Sequence, residues 1–163
     1  MTIDLILTGK TDFAPVEELV RLYTGRTAHY VKMNVITLPD VRGAARGGSS
    51  GKGSEALQRR REGEALLKAL GEGDYLVVLD ERGEEFSSAG LAAWLQKRLN
   101  SGVRRLVFAI GGPYGFSDEV YTRAEGRLSL SRMTFSHQIV RAIFCEQLYR
   151  AFTILNNEPY HHE

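Results

Sequence analysis

Cysteine is almost absent from this sequence: Cys145 is the one cysteine among 163 residues. A lone thiol cannot form an internal disulfide, and no Cys and His residues have the spacing of a zinc site. Cys145 lies in a strongly apolar stretch, which predicts a buried and chemically inert thiol. The chain is therefore expected to fold without a disulfide or a structural metal, in a reducing compartment.

Long apolar runs and a surplus of charge are also missing. No apolar segment reaches the roughly 20 residues that a membrane-spanning helix needs, and the first residues lack the basic and apolar regions of a signal peptide. The net charge is only +1. These features predict a soluble cytoplasmic protein in which any attraction to nucleic acid comes from local basic patches.

Strand and helix patterns alternate along the whole chain. Short β-rich apolar runs occupy residues 3–7, 30–38, 75–79, 105–110 and 128–130. Helical periodicity covers residues 13–29, 54–70, 87–99, 118–124 and 135–156. This order predicts an α/β fold with a mostly parallel sheet. No linker is long enough to divide the chain, so residues 1–163 are predicted to form one domain.

Three backbone breaks follow apolar runs at one predicted edge of the sheet. In a parallel sheet, ligands bind beyond the carboxyl ends of the strands, where residues 78–83, 110–115 and 129–137 are expected to lie. Their glycines allow a flat ligand to approach the backbone closely. Spacing alone leaves two interpretations open, a ligand site and a set of ordinary tight turns.

The glycine-rich segment before the second helix resembles a phosphate loop only superficially. That motif requires G-x-x-x-x-G-K-[ST], but Arg46 stands five positions before Gly51, and Gly53 follows Lys52. A nucleotide-binding hydrolase is therefore disfavoured. Arg42, Arg46 and Lys52 instead predict a basic loop that contacts RNA phosphates, with a merely solvated loop as the alternative.

Neither a nucleophilic triad nor a metal site stands out. Asp80, Ser131 and His137 could be arranged as a triad, but no G-x-S-x-G elbow is present. His161 and His162 are adjacent, so their side chains point in different directions, and no third ligand has a suitable spacing. We expect no metal.

Five ordered blocks together resemble the RlmH family, the pseudouridine N3-methyltransferases of large-subunit ribosomal RNA. The blocks read LDERG at 79–83, IGGPYG at 110–115, SLSRMT at 129–134, EQLYRA at 146–151 and PYHHE at 159–163. The resemblance runs nearly from end to end. It implies a SPOUT fold with a C-terminal trefoil knot, a tight homodimer, S-adenosylmethionine bent within the knot, and ribosomal RNA of the assembled ribosome as substrate.

The same resemblance assigns the site residues. It implies that the cofactor is bound by Leu79, Gly111, Gly112, Leu130, Ser131, Arg132, Met133, Thr134 and Phe135. It further implies direct methyl transfer, for which the N3 proton of the base must be removed. His161 fills the histidine of the terminal Pro-Tyr-His-x-Glu pattern and is the first candidate for this step, because histidine titrates near neutral pH. Glu163 is the second.

Three other charged residues have alternative roles. Arg141 and Arg150 are candidates for contacts with RNA phosphates, or for pairing with Glu146 within the helix. Asp80 is expected to organise the turn that follows it rather than to act as a base. Two other functions stay open, a SPOUT methyltransferase with a different RNA target and a noncatalytic ribosome-associated RNA-binding module.

Overall fold

The computed structural model describes residues 1–41 and 52–162, in which five strands alternate with five helices. The strands are β1 (Thr2–Thr8), β2 (Lys32–Leu38), β3 (Tyr75–Glu85), β4 (Arg105–Ile110) and β5 (Gly126–Ser129). The helices are α1 (Ala14–Thr27), α2 (Lys52–Lys68), α3 (Ser88–Asn100), α4 (Asp118–Arg123) and α5 (Ile139–Leu155). None of the helices within these ranges is long and apolar enough to cross a membrane.

The strands form one sheet in the order β2-β1-β4-β3-β5, and every neighbouring pair is parallel. The predicted α/β fold with a mostly parallel sheet is thereby confirmed. Because all strands run the same way, their carboxyl ends meet at one edge of the sheet. That edge is where the three predicted breaks lie.

Helices cover both faces of the sheet. Alternate residues of β4 face opposite cores, with Phe108 in the core that includes residues of α1, α3 and α5, and Val107 in the core that includes residues of α2 and α4. A strand covered on both faces needs apolar residues at consecutive positions. This requirement explains the unbroken apolar run of β4.

The predicted inert cysteine is confirmed. Cys145 lies on the inner side of α5 and is 1 % exposed. Burial disfavours the charged thiolate and raises the pKa of Cys145 to about 12. The thiol therefore stays protonated and inaccessible near neutral pH.

Strand β3 is longer than the predicted run of residues 75–79, because it pairs with β5 twice. Leu79 and Glu84 both lie opposite Leu128, with an irregular stretch between them. Gly83 belongs to that stretch, and a Cβ atom there would lie 2.7 Å from the carbonyl carbons of Arg127 and Leu128. The backbone of β3 therefore lies directly against that of β5 at Gly83, and only glycine fits there.

Helix ends also differ from the predicted ones. Helix α5 begins at Ile139 rather than at residue 135, because the preceding residues line a cleft. Helix α2 begins at Lys52 rather than at residue 54 and ends at Lys68 rather than at residue 70. Ser87 does cap α3, since its Oγ accepts a hydrogen bond from the Gly90 N–H at 3.0 Å.

Because the backbones of β3 and β5 meet at Gly83, the added methyl group of Gly83→Ala would collide with backbone. This substitution is expected to lower the free energy of unfolding by about 2 kcal/mol or more. Gly25→Ala is the matched control, because a Cβ atom at Gly25 in α1 meets nothing within 4 Å. This control is expected to be stabilising by about 0.5–1 kcal/mol. Urea denaturation measures the stability of both variants. A Gly83→Ala protein as stable as wild type would contradict the close contact between the two strands.

Candidate functional site

A cleft of about 990 Å³ opens at the carboxyl edge of the sheet. Leu79 of β3, Ile110 of β4 and Leu130 after β5 all line it. The three segments that the sequence analysis placed at strand ends therefore converge on one space. Its volume lies within the range of small-molecule and cofactor sites in proteins.

The turn after β4 gives the cleft a backbone wall. Gly112 and Gly115 face each other as an isolated antiparallel bridge, and the Gly115 N–H donates to the Gly112 carbonyl at 3.2 Å. Gly115 has a φ of 74°, a left-handed conformation that favours glycine. A Cβ atom at Gly111 would lie 3.2 Å from the ring of Phe116. The turn is tight, because a side chain at Gly111 would press on Phe116 and one at Gly115 would be strained by its positive φ.

The segment after β5 supplies the opposite wall. Its conformation is fixed locally, because the Met133 N–H donates to the Ser131 Oγ at 3.0 Å. It is also tied to the end of β3, since the Thr134 hydroxyl donates to the Glu81 carboxylate at 2.9 Å. Met133 is 76 % exposed, which places an apolar side chain at the open rim of the cleft.

Eight of the nine residues expected to bind a cofactor line this cleft. They are Leu79, Gly111, Gly112, Leu130, Ser131, Met133, Thr134 and Phe135. Arg132 does not line it. The Arg132 side chain is 90 % exposed and pairs with Glu85 at 3.0 Å, on the outside of the segment.

Arg141 lies in the interior instead of on the surface expected of an RNA contact. It is 0 % exposed. Its guanidinium donates to the carbonyl oxygens of Thr8 at 2.8 Å, Gly9 at 3.0 Å and His137 at 3.0 Å, and to the Thr11 hydroxyl at 2.9 Å. These bonds join the end of β1 to the start of α5.

A neighbouring glutamine strengthens this junction. The Gln138 side chain donates to the Lys10 carbonyl at 3.0 Å and accepts from the Asp12 N–H at 2.9 Å. His137 and Val140, on either side of the junction, both line the cleft. The junction therefore fixes the position of His137 and Val140, the α5 side of the cleft, relative to the sheet.

Asp80 organises the irregular stretch of β3 that follows it, as predicted. One carboxylate oxygen accepts from the Arg82 N–H at 2.8 Å, and the other accepts from the Tyr121 hydroxyl. Burial and the bond to Asp80 raise the pKa of Tyr121 to about 12. Ser131 and His137 share the cleft with Asp80, but both oxygens of Asp80 are already engaged, which disfavours a hydrolytic triad.

The chain terminus lies at the far end of α5 from the cleft. His161 Nδ1 is 3.3 Å from a guanidinium nitrogen of Arg150, and Arg150 also pairs with Glu146 one turn earlier. Arg150 is ten residues beyond Val140, which lines the cleft. At the rise of an α-helix this separation is roughly 15 Å. Within one chain, His161 therefore does not border the cleft.

Some predicted residues have no described position. Arg42, Arg46 and Glu163 lie outside the described residues, as does the side chain of Lys52. Conversely, sequence reasoning did not select Tyr121 or Arg127, both of which line the cleft together with Arg59 of α2. Their positions depend on how α2, α4 and β5 pack against one another, which no local pattern encodes.

Comparison with known proteins gives a consistent result. The family model described as "Predicted SPOUT methyltransferase" matches residues 1–161. The chain belongs to the SPOUT methyltransferase family. Similar curated proteins include those of Christiangramia forsetii, 50% identical over 99% of each chain, and of Parabacteroides distasonis, 50% identical over 100% of each chain. A protein of Bacteroides fragilis is 43% identical, also over 100% of each chain.

Each of these three relatives is named "Ribosomal RNA large subunit methyltransferase H". The likeness extends over the full length of the SPOUT methyltransferase described here. All the segments that wall its cleft thus fall within the matched region.

Substitution of Arg141 is expected to loosen the α5 side of the cleft locally, which a general loss of stability would not do. Arg141→Lys keeps the charge but cannot reach all four acceptors, so amide hydrogen exchange should accelerate in residues 8–13 and 134–141. Arg105→Lys is the control, because Arg105 pairs with Asp4 and Asp74 at the amino edge of the sheet. Exchange in these two segments should stay unchanged in that control. Equal acceleration in both variants would argue against a positioning role for Arg141.

Proposed function

We propose that this chain transfers the methyl group of S-adenosylmethionine to N3 of a pseudouridine in large-subunit (23S) ribosomal RNA. The observation that carries the proposal is the convergence of three strand-end segments on one cleft. The family supplies the reaction class, and the names of full-length relatives point to the RNA. The proposed methyl transfer takes place in the cytoplasm, on the assembled ribosome, with residues 1–163 acting as one domain.

The cleft has the chemistry that S-adenosylmethionine requires. Leu79, Leu130 and Met133 offer apolar surfaces to an adenine ring, while the glycine turn exposes backbone N–H and C=O groups. A Cβ atom at Gly112 would lie 2.8 Å from the Glu62 carboxylate. A side chain at Gly112 would therefore displace Glu62, and its absence leaves the backbone of Gly111 and Gly112 open to a ligand in the cleft.

We infer that the C-terminal part is threaded as a trefoil knot. Support comes from the irregular pairing of β3 with β5, where Leu128 lies opposite both Leu79 and Glu84. Beyond β5, the chain is tied back to the same part of β3 by the bond from Thr134 to Glu81. A segment held from both sides in this way walls a ligand site more rigidly than a free loop.

The protein's own contribution is alignment and proton removal. When bound, S-adenosylmethionine supplies an electrophilic methyl group on its sulfonium. The cleft walls hold the donor and leave an opening through which the target base approaches in line. A base must accept the N3 proton of that nucleotide, and we assign this role to His161, with Glu163 as the second candidate.

The position of His161 requires a homodimer. Roughly 15 Å of helix separates the surroundings of His161 from the cleft of the same chain, so the tail of one protomer is assigned to the cleft of its partner. The α5 side of the cleft has apolar side chains for a partner to cover, since Met133 and Ile139 are exposed. The active unit proposed here is therefore a dimer with two composite sites.

The proposal predicts cofactor-dependent labelling of ribosomes. Wild type should methylate one pseudouridine in ribosomes taken from a deletion strain. Gly111→Val should abolish binding of S-adenosylmethionine in calorimetry while the protein stays folded, because the branched side chain would enter the cleft beside Phe116. Retained cofactor affinity would place the site elsewhere. Activity on transfer RNA alone would favour a different RNA target, and no cofactor binding by wild type would favour a noncatalytic module.

Deletion of residues 161–163 should lower turnover far more than cofactor affinity. Mixing this truncated protein with the Gly111→Val protein should restore activity, because each mixed dimer contains one intact cleft and one intact tail. Full turnover by the truncated protein alone would remove the tail from catalysis. It would move the proton-accepting role into the cleft, where His137 is the histidine among the lining residues.

A further inference from the structure

Three arginines that line the cleft have no acidic partner among the described residues. They are Arg59, Arg82 and Arg127. Away from the cleft, some exposed arginines are paired, as Arg21 is with a glutamate at 3.7 Å and Arg60 with another at 3.2 Å. The cleft brings three unpaired arginines together at the site where a substrate has to enter.

The acidic residues of the cleft are engaged differently. Asp80 accepts hydrogen bonds from the Tyr121 hydroxyl and a backbone N–H, and Glu81 accepts one from Thr134. Asp118 lies in the first turn of α4. The formal charges of the lining arginines and carboxylates balance. The arginines, however, are the groups that keep unused hydrogen-bond donors for an anion.

An aromatic side chain stands beside these arginines. Tyr114 occupies the tip of the turn closed by Gly112 and Gly115, and it is 41 % exposed although it lines the cleft. The turn is held by its own backbone bridge. Tyr114 therefore presents an exposed ring on a fixed support, and it has no aromatic or cation–π contact within residues 1–41 and 52–162.

These groups belong to one side of the molecule. Arg59 lies on α2, which packs against α4 through Gly63, Ser117 and Val120. Arg127 stacks over the ring of Tyr121 on α4 at 4.4 Å. The opposite side of the cleft is formed by the start of α5. The two sides are thus distinct in chemistry, one with exposed cations and an aromatic ring, the other tied to β1.

We propose that Arg59, Arg82, Tyr114 and Arg127 form an RNA-docking wall that holds the strand carrying the target nucleotide. The inference rests on the proposed function and specifies its substrate contacts. Unpaired guanidinium groups bind backbone phosphates, and an exposed aromatic ring stacks on a base. A nucleotide drawn out of the RNA stack needs both contacts while its base enters the cleft.

The charge test compares two triple variants with the same change in net charge. Arg59→Gln/Arg82→Gln/Arg127→Gln should raise KM for ribosomes about 10- to 100-fold and reduce the salt dependence of log KM by about 2, at roughly 0.7 per phosphate contact. The control is Arg21→Gln/Arg60→Gln/Lys97→Gln, which removes three exposed cations away from the cleft. Its KM should remain close to that of wild type.

The stacking test uses the aromatic ring alone. Tyr114→Ala should raise KM for ribosomes about tenfold or more, whereas Tyr114→Phe keeps the ring and should behave as wild type. Phe13→Ala is the control for loss of an exposed aromatic group outside the cleft lining. Calorimetry with S-adenosylmethionine should give the same affinity for every variant.

The possible outcomes separate this inference from the proposed function. If wild type methylates ribosomes and the two triple variants have equal KM values, the docking wall is wrong and the function stands. If the cleft triple loses cofactor affinity instead, the arginines hold the carboxylate of the donor, and the inference is likewise overturned. If wild type does not methylate ribosomes at all, the proposed function itself fails.

Discussion

The close contact between the backbones of β3 and β5 is the constraint on which the rest of the structure depends. Leu128 pairs with two positions of β3, and Gly83 lies against the backbone of β5 with no room for a side chain. The chain after β5 returns to the same part of β3, where the Thr134 hydroxyl donates to Glu81. Together these contacts bring β3 and the segment after β5 into the wall of one cleft.

Much of this architecture follows from local pattern. The alternation of apolar runs with helical periodicity predicted the parallel sheet, and the rule that ligands bind at carboxyl strand ends placed Leu79, Gly111 and Leu130 together. The double pairing of β3 could not be predicted, because residues after Leu79 are polar and carry no strand signal. The burial of Arg141 was equally hidden, since a charged residue on a helix is ordinarily exposed, and its acceptors lie about 130 residues away in sequence.

The cleft separates two tasks between its sides. The α5 side is fixed to the sheet by the buried Arg141 guanidinium, so the geometry of the donor site depends on a junction that solvent does not reach. The α2–α4 side carries exposed groups such as Tyr114 and Arg127, which suits reversible contact with a large substrate. In the proposed dimer, the tail of the partner protomer completes the site. The proposed docking wall would let a small chain with a net charge of only +1 act on RNA through a few well-placed cations.

The most direct measurement is a crystal structure of the protein with S-adenosylhomocysteine, the product left after methyl transfer. The account predicts that the ligand lies in the carboxyl-edge cleft, with its adenine between Leu79 and Leu130 and its edge against the backbone of Gly111 and residues 131–134. Density for the ligand at any other place would contradict it. A crystal structure in which the segment after β5 does not return to β3 near Glu81 would also contradict it.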